Sequence, residues 1–368
     1  MKLSKNESLG LDLIRAIASQ IVVIGHGISF FGIFKMLHAP NFPWMQNIAV
    51  VVFFILSGFV ITYSALIKTK NGSYSFFDFF ADRASRIFSA YLVALVFVLV
   101  IDLLSMSIND AAYAYSNAFN ISTFASNLFM LQDYPLHNFI GVSIFNATSF
   151  GSARVFWTIS IEWWIYMFFG VLFFCLYKNE KISINKSILF VISYIVVSWY
   201  LYDSRGGNLS IFWTCGMFCF LMYKKYKDNV TGLFANVLVL LSSLSTCISI
   251  QYSVVNAYNL MFAMALSLSI VSFINCTNYL SMHKIGRAIE FTAGYSFTLY
   301  LVHYSIMDFM ARHIPLKNGY AAFVCAFLIS NAVAFCISRF SERSFRVMIK
   351  AFLYRMRGIS SKRNVLEN

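Results

Sequence analysis

The chain has 368 residues, 59% of them hydrophobic and only 12% charged, with a mean hydropathy of +0.70. These values exclude an ordinary soluble domain and fit an all-α integral membrane protein. The net charge of +13 raises nucleic acid as a partner, but the placement of the charges points to a lipid bilayer instead and argues for no nucleic-acid role.

The first apolar stretch, Leu9 to Phe31, is long enough to span a bilayer as a helix. It is too long for the core of a signal peptide, contains Arg15 and is followed by no small-residue cleavage site, so we expect it to be retained. Asp12, Arg15 and His26 interrupt it. Eleven residues separate Arg15 from His26 in register, which returns the second side chain to within about 20° of the first, roughly 16 Å along the axis. Asp12, three residues before Arg15, is placed to pair with it. Ionisable groups in a membrane helix usually face a bundle interior or a wet cavity. A neutral imidazole there can take a proton from a hydroxyl. Interhelical hydrogen bonding by His26 and snorkelling by Arg15 are the plainer alternative.

The second span, about 45–67, carries VVFFILSGFVI with Ser57-Gly58 inside a very apolar run. Close helix packing through small residues and a narrow ligand groove are both open readings. After it, Arg83 and Arg86 stand three residues apart in DFFADRASRIF. That spacing puts two guanidinium forks on one side of a helix, suited to phosphate oxygens or to simple membrane anchoring. A third span covers about 87–107, and the weakly apolar Phe124 to Leu131 is too short to cross.

The fourth span, about 154–177, opens with Arg154, Trp157, Thr158, Ser160, Glu162, Trp163 and Trp164. Glu162 lies two turns into an apolar helix and needs a partner: His26, an arginine or a proton. Trp157 suits either an interfacial belt or the face of a sugar ring. Further spans are expected at about 187–203, 207–223, 230–250, 257–277, 290–311 and 319–341. Ser296, Tyr300 and His303 form a polar stripe on the ninth. This makes about ten transmembrane helices in one membrane domain, 1–345, followed by a basic tail, 346–368.

With the N-terminus in the cytoplasm, 22 Lys and Arg fall on the inner side and five on the outer, a bias that sets both termini cytoplasmic. The tail then reads as a membrane-surface helix. The seven Cys sit in or beside apolar spans with no CxxC or Cys/His cluster, so we expect no metal site. Walker, GxSxG and HExxH motifs are absent as well.

Taken together, LDLIRAIASQIVVIGHG, FFILSGFVI, RASRIF, FWTISIEWWIY and YSFTLYLVH resemble membrane acyltransferase family 3, in the order found there. That family includes O-antigen, exopolysaccharide and Nod-factor acetylases. The resemblance implies transfer of an acyl group, most often acetyl from cytoplasmic acetyl-CoA as co-substrate, to a hydroxyl of a lipid-linked or surface glycan. It implies a multi-pass protein of the inner (plasma) membrane with no bound cofactor. Arg15, His26 and Glu162 match family residues important for activity, and Arg83 and Arg86 match its arginine pair. Two departures stand out: Asp82 where the family often has a basic residue, and Glu342-Arg343-Ser344 where Glu-x-Pro is usual.

On this reading Arg83 and Arg86 hold CoA phosphates at the cytoplasmic mouth, and the pantetheine arm passes Arg15. His26 activates a sugar hydroxyl or briefly carries the acyl group. Glu162 or Asp12 supports the charges, and Ser57, Trp157, Ser296, Tyr300 and His303 line a cavity. A transporter or flippase of lipid-linked sugars would use the same polar faces without acyl chemistry. The sequence leaves the glycan, the acylated position and the oligomeric state open.

Overall fold

Ser4 begins the first helix, α1 (Lys5–Phe31), with a reciprocal cap. Its hydroxyl accepts the Glu7 N–H at 3.2 Å, and the Glu7 carboxylate accepts the Ser4 N–H at 2.6 Å. Gly32, at φ +64°, ends the helix in the left-handed conformation that glycine adopts without penalty. The computed structural model describes residues 2–37, 40–70, 72–132, 148–202, 208–226, 232–314 and 316–358, and all the regular structure among them is helical. Residues 133–147 and the end of the basic tail, 359–368, lie outside the described residues.

After α1 come α2 (Met45–Thr69), α3 (Phe76–Asn109), α4 (Ile121–Leu128), α5 (Trp157–Leu172) and α6 (Ile184–Tyr202). They are followed by α7 (Leu209–Tyr226), α8 (Leu233–Val254), α9 (Leu260–Thr277) and α10 (His283–Ala293). The chain continues with α11 (Ser296–His313), α12 (Gly319–Ser338) and α13 (Arg346–Met356), the last two joined by a π-turn over Arg339–Phe345. Each expected span contains helix among the described residues, but the ninth, 290–311, is divided at Gly294 and Tyr295 between α10 and α11. Among the described residues, seven candidate membrane spans, rather than ten, have the length and apolarity to cross: α1, α2, α3, α5, α8, α9 and the run through α12. Of the others, α6 is apolar over a shorter length, Ile184–Ser198, α7 ends in Lys224 and Lys225, and α11 carries His303, Asp308, Arg312 and His313.

The largest boundary difference is α3. It starts eleven residues before the expected span, because Ser75 and Asp78 cap each other and nucleate the helix ahead of the apolar run. At about 1.5 Å per residue α3 is roughly 51 Å long, well beyond a ~30 Å hydrocarbon layer. Arg83 and Arg86 therefore lie on helix, as their spacing requires.

The chain forms two compact units: residues 1–71 with 200–296, and residues 72–199 with 297–368. In the first unit α2 packs on α7, α8 on α9, and α1 on α2 and α10. The α2–α7 contact is backbone on backbone. A Cβ on Gly58 would sit 1.9 Å from the Trp213 carbonyl oxygen, and one on Gly216 would sit 1.9 Å from that of Ile55. Of the two readings of Ser57-Gly58, close packing through small residues is the one realised at Gly58. Buried Glu7 ties three elements of this unit, accepting from Tyr223 Oη at 2.5 Å and Asn278 Nδ2 at 2.7 Å.

In the second unit fully buried Tyr91 anchors α3. Its hydroxyl donates to the Asn127 carbonyl at 3.0 Å, and its ring lies 4.7 Å from that of Phe156. Asn127 in turn donates to the Thr148 carbonyl at 2.9 Å, fixing α4. Arg346–Met356, at the start of the basic tail, packs along the start of α3.

Because the atoms opposing Gly58 and Gly216 are backbone, neither site can yield by a rotamer change. Gly58→Ala and Gly216→Ala are each expected to cost about 3 kcal/mol or more. Thermal unfolding in detergent measures this, and an unchanged midpoint for either variant contradicts the backbone contact.

Candidate active site

On α1 the expected pairing is present: Arg15 donates to Asp12 at 3.0 Å, and both side chains are about 30% exposed. His26 is half-buried nearly five turns from the start of the apolar stretch, on the same unbroken helix. Gly25, its neighbour, abuts α2 so closely that a Cβ there would lie 2.8 Å from the Gln46 nitrogen. Ser57 accepts the indole N–H of Trp213 at 3.1 Å. Ser296 is buried and donates to the Ala293 carbonyl at 2.8 Å, a bond within its own turn. These residues all belong to the first unit.

The remaining residues singled out in the sequence belong to the second unit. Trp157 is buried at the start of α5, and Glu162, one turn on, accepts a hydrogen bond from the Tyr166 hydroxyl. Tyr300 and Thr158 join α11 to α5 through their hydroxyls at 2.7 Å. His303 is fully buried, with Nδ1 3.0 Å from the Leu299 carbonyl oxygen. The stripe on α11 thus faces the interior, as its period requires.

The start of α3 holds the densest charge. Arg86 donates to Glu342 at 2.9 Å. The other oxygen of Glu342 accepts from the Thr298 N–H at 3.2 Å and its hydroxyl at 2.7 Å, so one carboxylate caps α11 and holds Arg86. The π-turn over Arg339–Phe345 presents Glu342 to both. Asp82 pairs with Lys350 at 2.8 Å and accepts from Tyr74 Oη at 2.9 Å. Burial first, and the Asp82 carboxylate next, push the Tyr74 phenol above its usual range and keep it a donor. Asp78 accepts from Tyr354 at 2.6 Å. Arg83 lies over the Phe79 ring, and Arg86 over that of Phe297.

Sequence reasoning noted Asp82 and Glu342 only as departures and missed Lys350 and Tyr354. Their signal was the four-residue spacing of Glu342, Arg346, Lys350 and Tyr354, one face of a helix. It also missed Asp102 and Asp308. Asp102 accepts from the Tyr113 hydroxyl and the Ser152 N–H, each at 2.8 Å. Asp308 takes both forks of Arg312, at 2.8 and 2.9 Å, and the Tyr115 hydroxyl at 2.8 Å. These contacts tie down the chain on both sides of α4, at Tyr113 and Tyr115 before it and at Ser152 after it. Among the described residues, no group of three or more His, Cys, Asp or Glu is placed to hold a metal ion.

A family described as an acyltransferase domain matches residues 8–339, nearly the whole of the chain. The chain belongs to acyltransferase family 3. An O-acetyl transferase of Shigella phage Sf6 is 30% identical over 184 residues, 49% of this chain and 50% of that protein. The match therefore spans about half the length of that curated relative. No solved structure matches. Of the residues that the acyltransferase resemblance points to, Arg15 and His26 share α1, Arg83 and Arg86 share the first turns of α3, and Glu162 lies on α5.

Removing one partner of a largely buried ion pair leaves a charge stranded. Lys350→Met should therefore destabilise the protein by about 3 kcal/mol, and adding Asp82→Asn should recover at least ~1 kcal/mol of it. Chemical denaturation of the single and double variants measures the coupling. Strictly additive losses would show that the pair contributes nothing beyond its parts.

Proposed function

We propose that this protein is a membrane O-acyltransferase that moves an acetyl group from cytoplasmic acetyl-CoA to a hydroxyl of a lipid-linked or cell-surface glycan. The observation that carries the reading is family membership across residues 8–339, together with Arg15 and His26 on the one unbroken helix α1. The likeness to a phage protein named as an O-acetyl transferase supports oxygen as the accepting atom. The basic bias supports an even number of spans with both termini in the cytoplasm.

In this reading His26 takes the proton of the acceptor hydroxyl. The oxygen attacks the thioester carbonyl carbon, the ester C–O bond forms and the C–S bond breaks. The proton then passes from His26 to the departing CoA sulfur. Arg15, held by Asp12, offers positive charge for the oxyanion, and Glu162 is a second candidate for balancing charge during transfer. Arg83 and Arg86 hold donor phosphates, which guanidinium forks match in geometry and charge. Ser57 and Ser296 in the first unit, and Trp157, Tyr300 and His303 in the second, are proposed to shape substrate-binding surfaces of their own units rather than react.

Purified protein in nanodiscs, given acetyl-labelled CoA and a lipid-linked glycan, tests the assignment. We expect one CoA released per acetyl group appearing on the glycan. Glycan movement across vesicles without a donor, and no labelled product, would make the protein a transporter of lipid-linked sugars. Arg83→Ala with Arg86→Ala should raise KM for acetyl-CoA at least ~10-fold, the scale of losing charge-assisted hydrogen bonds. An unchanged KM would reduce the pair to membrane anchors.

A further inference from the structure

The first turns of α3 and the C-terminal helix form an antiparallel ladder. Asp78 meets Tyr354, and Asp82, one turn on, meets Lys350, one turn back. Continued by one more turn on each helix, the same register brings Arg86 opposite Arg346. Arg86 resolves part of this like-charge opposition by reaching one turn further, to Glu342. Arg346 lies half-buried within electrostatic range of Arg86, Arg83, Asp82 and Glu342.

The carboxylates nearby are already engaged. Asp78 is held by the Ser75 cap and Tyr354, Asp82 by Lys350 and Tyr74, and Glu342 by Arg86 and Thr298. Among the described residues, neither Arg83 nor Arg346 forms an ion pair with a carboxylate, and the buried Arg83 Nε has no hydrogen-bond acceptor. Three guanidiniums therefore converge where the protein's own anions are spoken for. Like charges so crowded favour an added anion with several oxygens, and a phosphate offers those in a geometry that guanidinium forks match.

We propose that Arg346 is a third ligand for the donor's phosphates, supplied by the C-terminal helix, and that it makes the enzyme prefer a donor bearing nucleotide phosphates over a bare acyl-pantetheine. The proposal rests on the reading of Arg83 and Arg86 as the donor site. Lys350 has a different part: it neutralises Asp82, so that this carboxylate does not compete for the three arginines.

The test is binding of adenosine 3′,5′-bisphosphate, which carries no acyl group, to full-length protein in nanodiscs of phosphatidylcholine. It is compared with Arg346→Ala, Arg346→Gln and Arg346→Lys, each first checked for a wild-type unfolding midpoint. We expect binding about 10- to 100-fold weaker for the Ala and Gln variants and partly restored by Lys, the scale of one charge-assisted contact. KM for acetyl-CoA should rise in step with little change in kcat, while KM for acetyl-pantetheine should stay at the wild-type value. Equal nucleotide binding by all four proteins, or equal losses with both donors, overturns the proposal. So does Arg346-dependent binding of phosphatidylglycerol without nucleotide binding, which would assign the site to a lipid headgroup. Nucleotide binding that depends on Arg346, in a protein that transfers no acetyl group, would support the phosphate site while sinking the acyltransferase mechanism. Acetyl transfer with no effect of Arg346 would do the reverse.

Discussion

An ionisable side chain on a helix that crosses lipid must find a partner, because hydrocarbon offers none. This constraint organises the protein. Glu7 is surrounded by a tyrosine, an asparagine and its own cap, Asp12 holds Arg15, and Asp308 holds both forks of Arg312. Glu342 spends one oxygen on the start of α11 and the other on Arg86. Against that background, groups left without an opposite charge at the start of α3 are conspicuous. They are where the proposed donor phosphates would supply what the fold does not.

The same constraint explains the family departure at Asp82. An acidic residue next to two arginines would quench the site if left unattended. Here the C-terminal helix brings Lys350 to it, and a buried phenol donates from the other side. The last described helix therefore packs into the charged cluster at the start of α3.

Much of the fold was legible in the sequence. Each apolar stretch read as a span contains helix among the described residues, since backbone groups in lipid have no other economical arrangement, although 290–311 is split at Gly294 and Tyr295. The start of α3 was not, because hydropathy weighs Asp78, Asp82, Arg83 and Arg86 as an interruption. The Ser75–Asp78 cap, which overrides that interruption, is a pairing of two residues rather than a run. Asp12 with Arg15 was readable because its spacing is local. Asp82 with Lys350 and Arg86 with Glu342 were not, since more than 250 residues separate the partners and only the packing of α3 against the C-terminal helix joins them. Gly58 announced a close contact in the sequence, but Gly216, which completes it, carried no signal of its own.

The central claim is that the imidazole on α1 performs acyl chemistry. It is tested most directly by single-turnover transfer of labelled acetyl from CoA to a glycan acceptor with His26→Ala protein that keeps the wild-type unfolding midpoint and CoA affinity. The account predicts that this protein binds donor normally and transfers no label within the time of hundreds of wild-type turnovers. Transfer at the wild-type rate would contradict it.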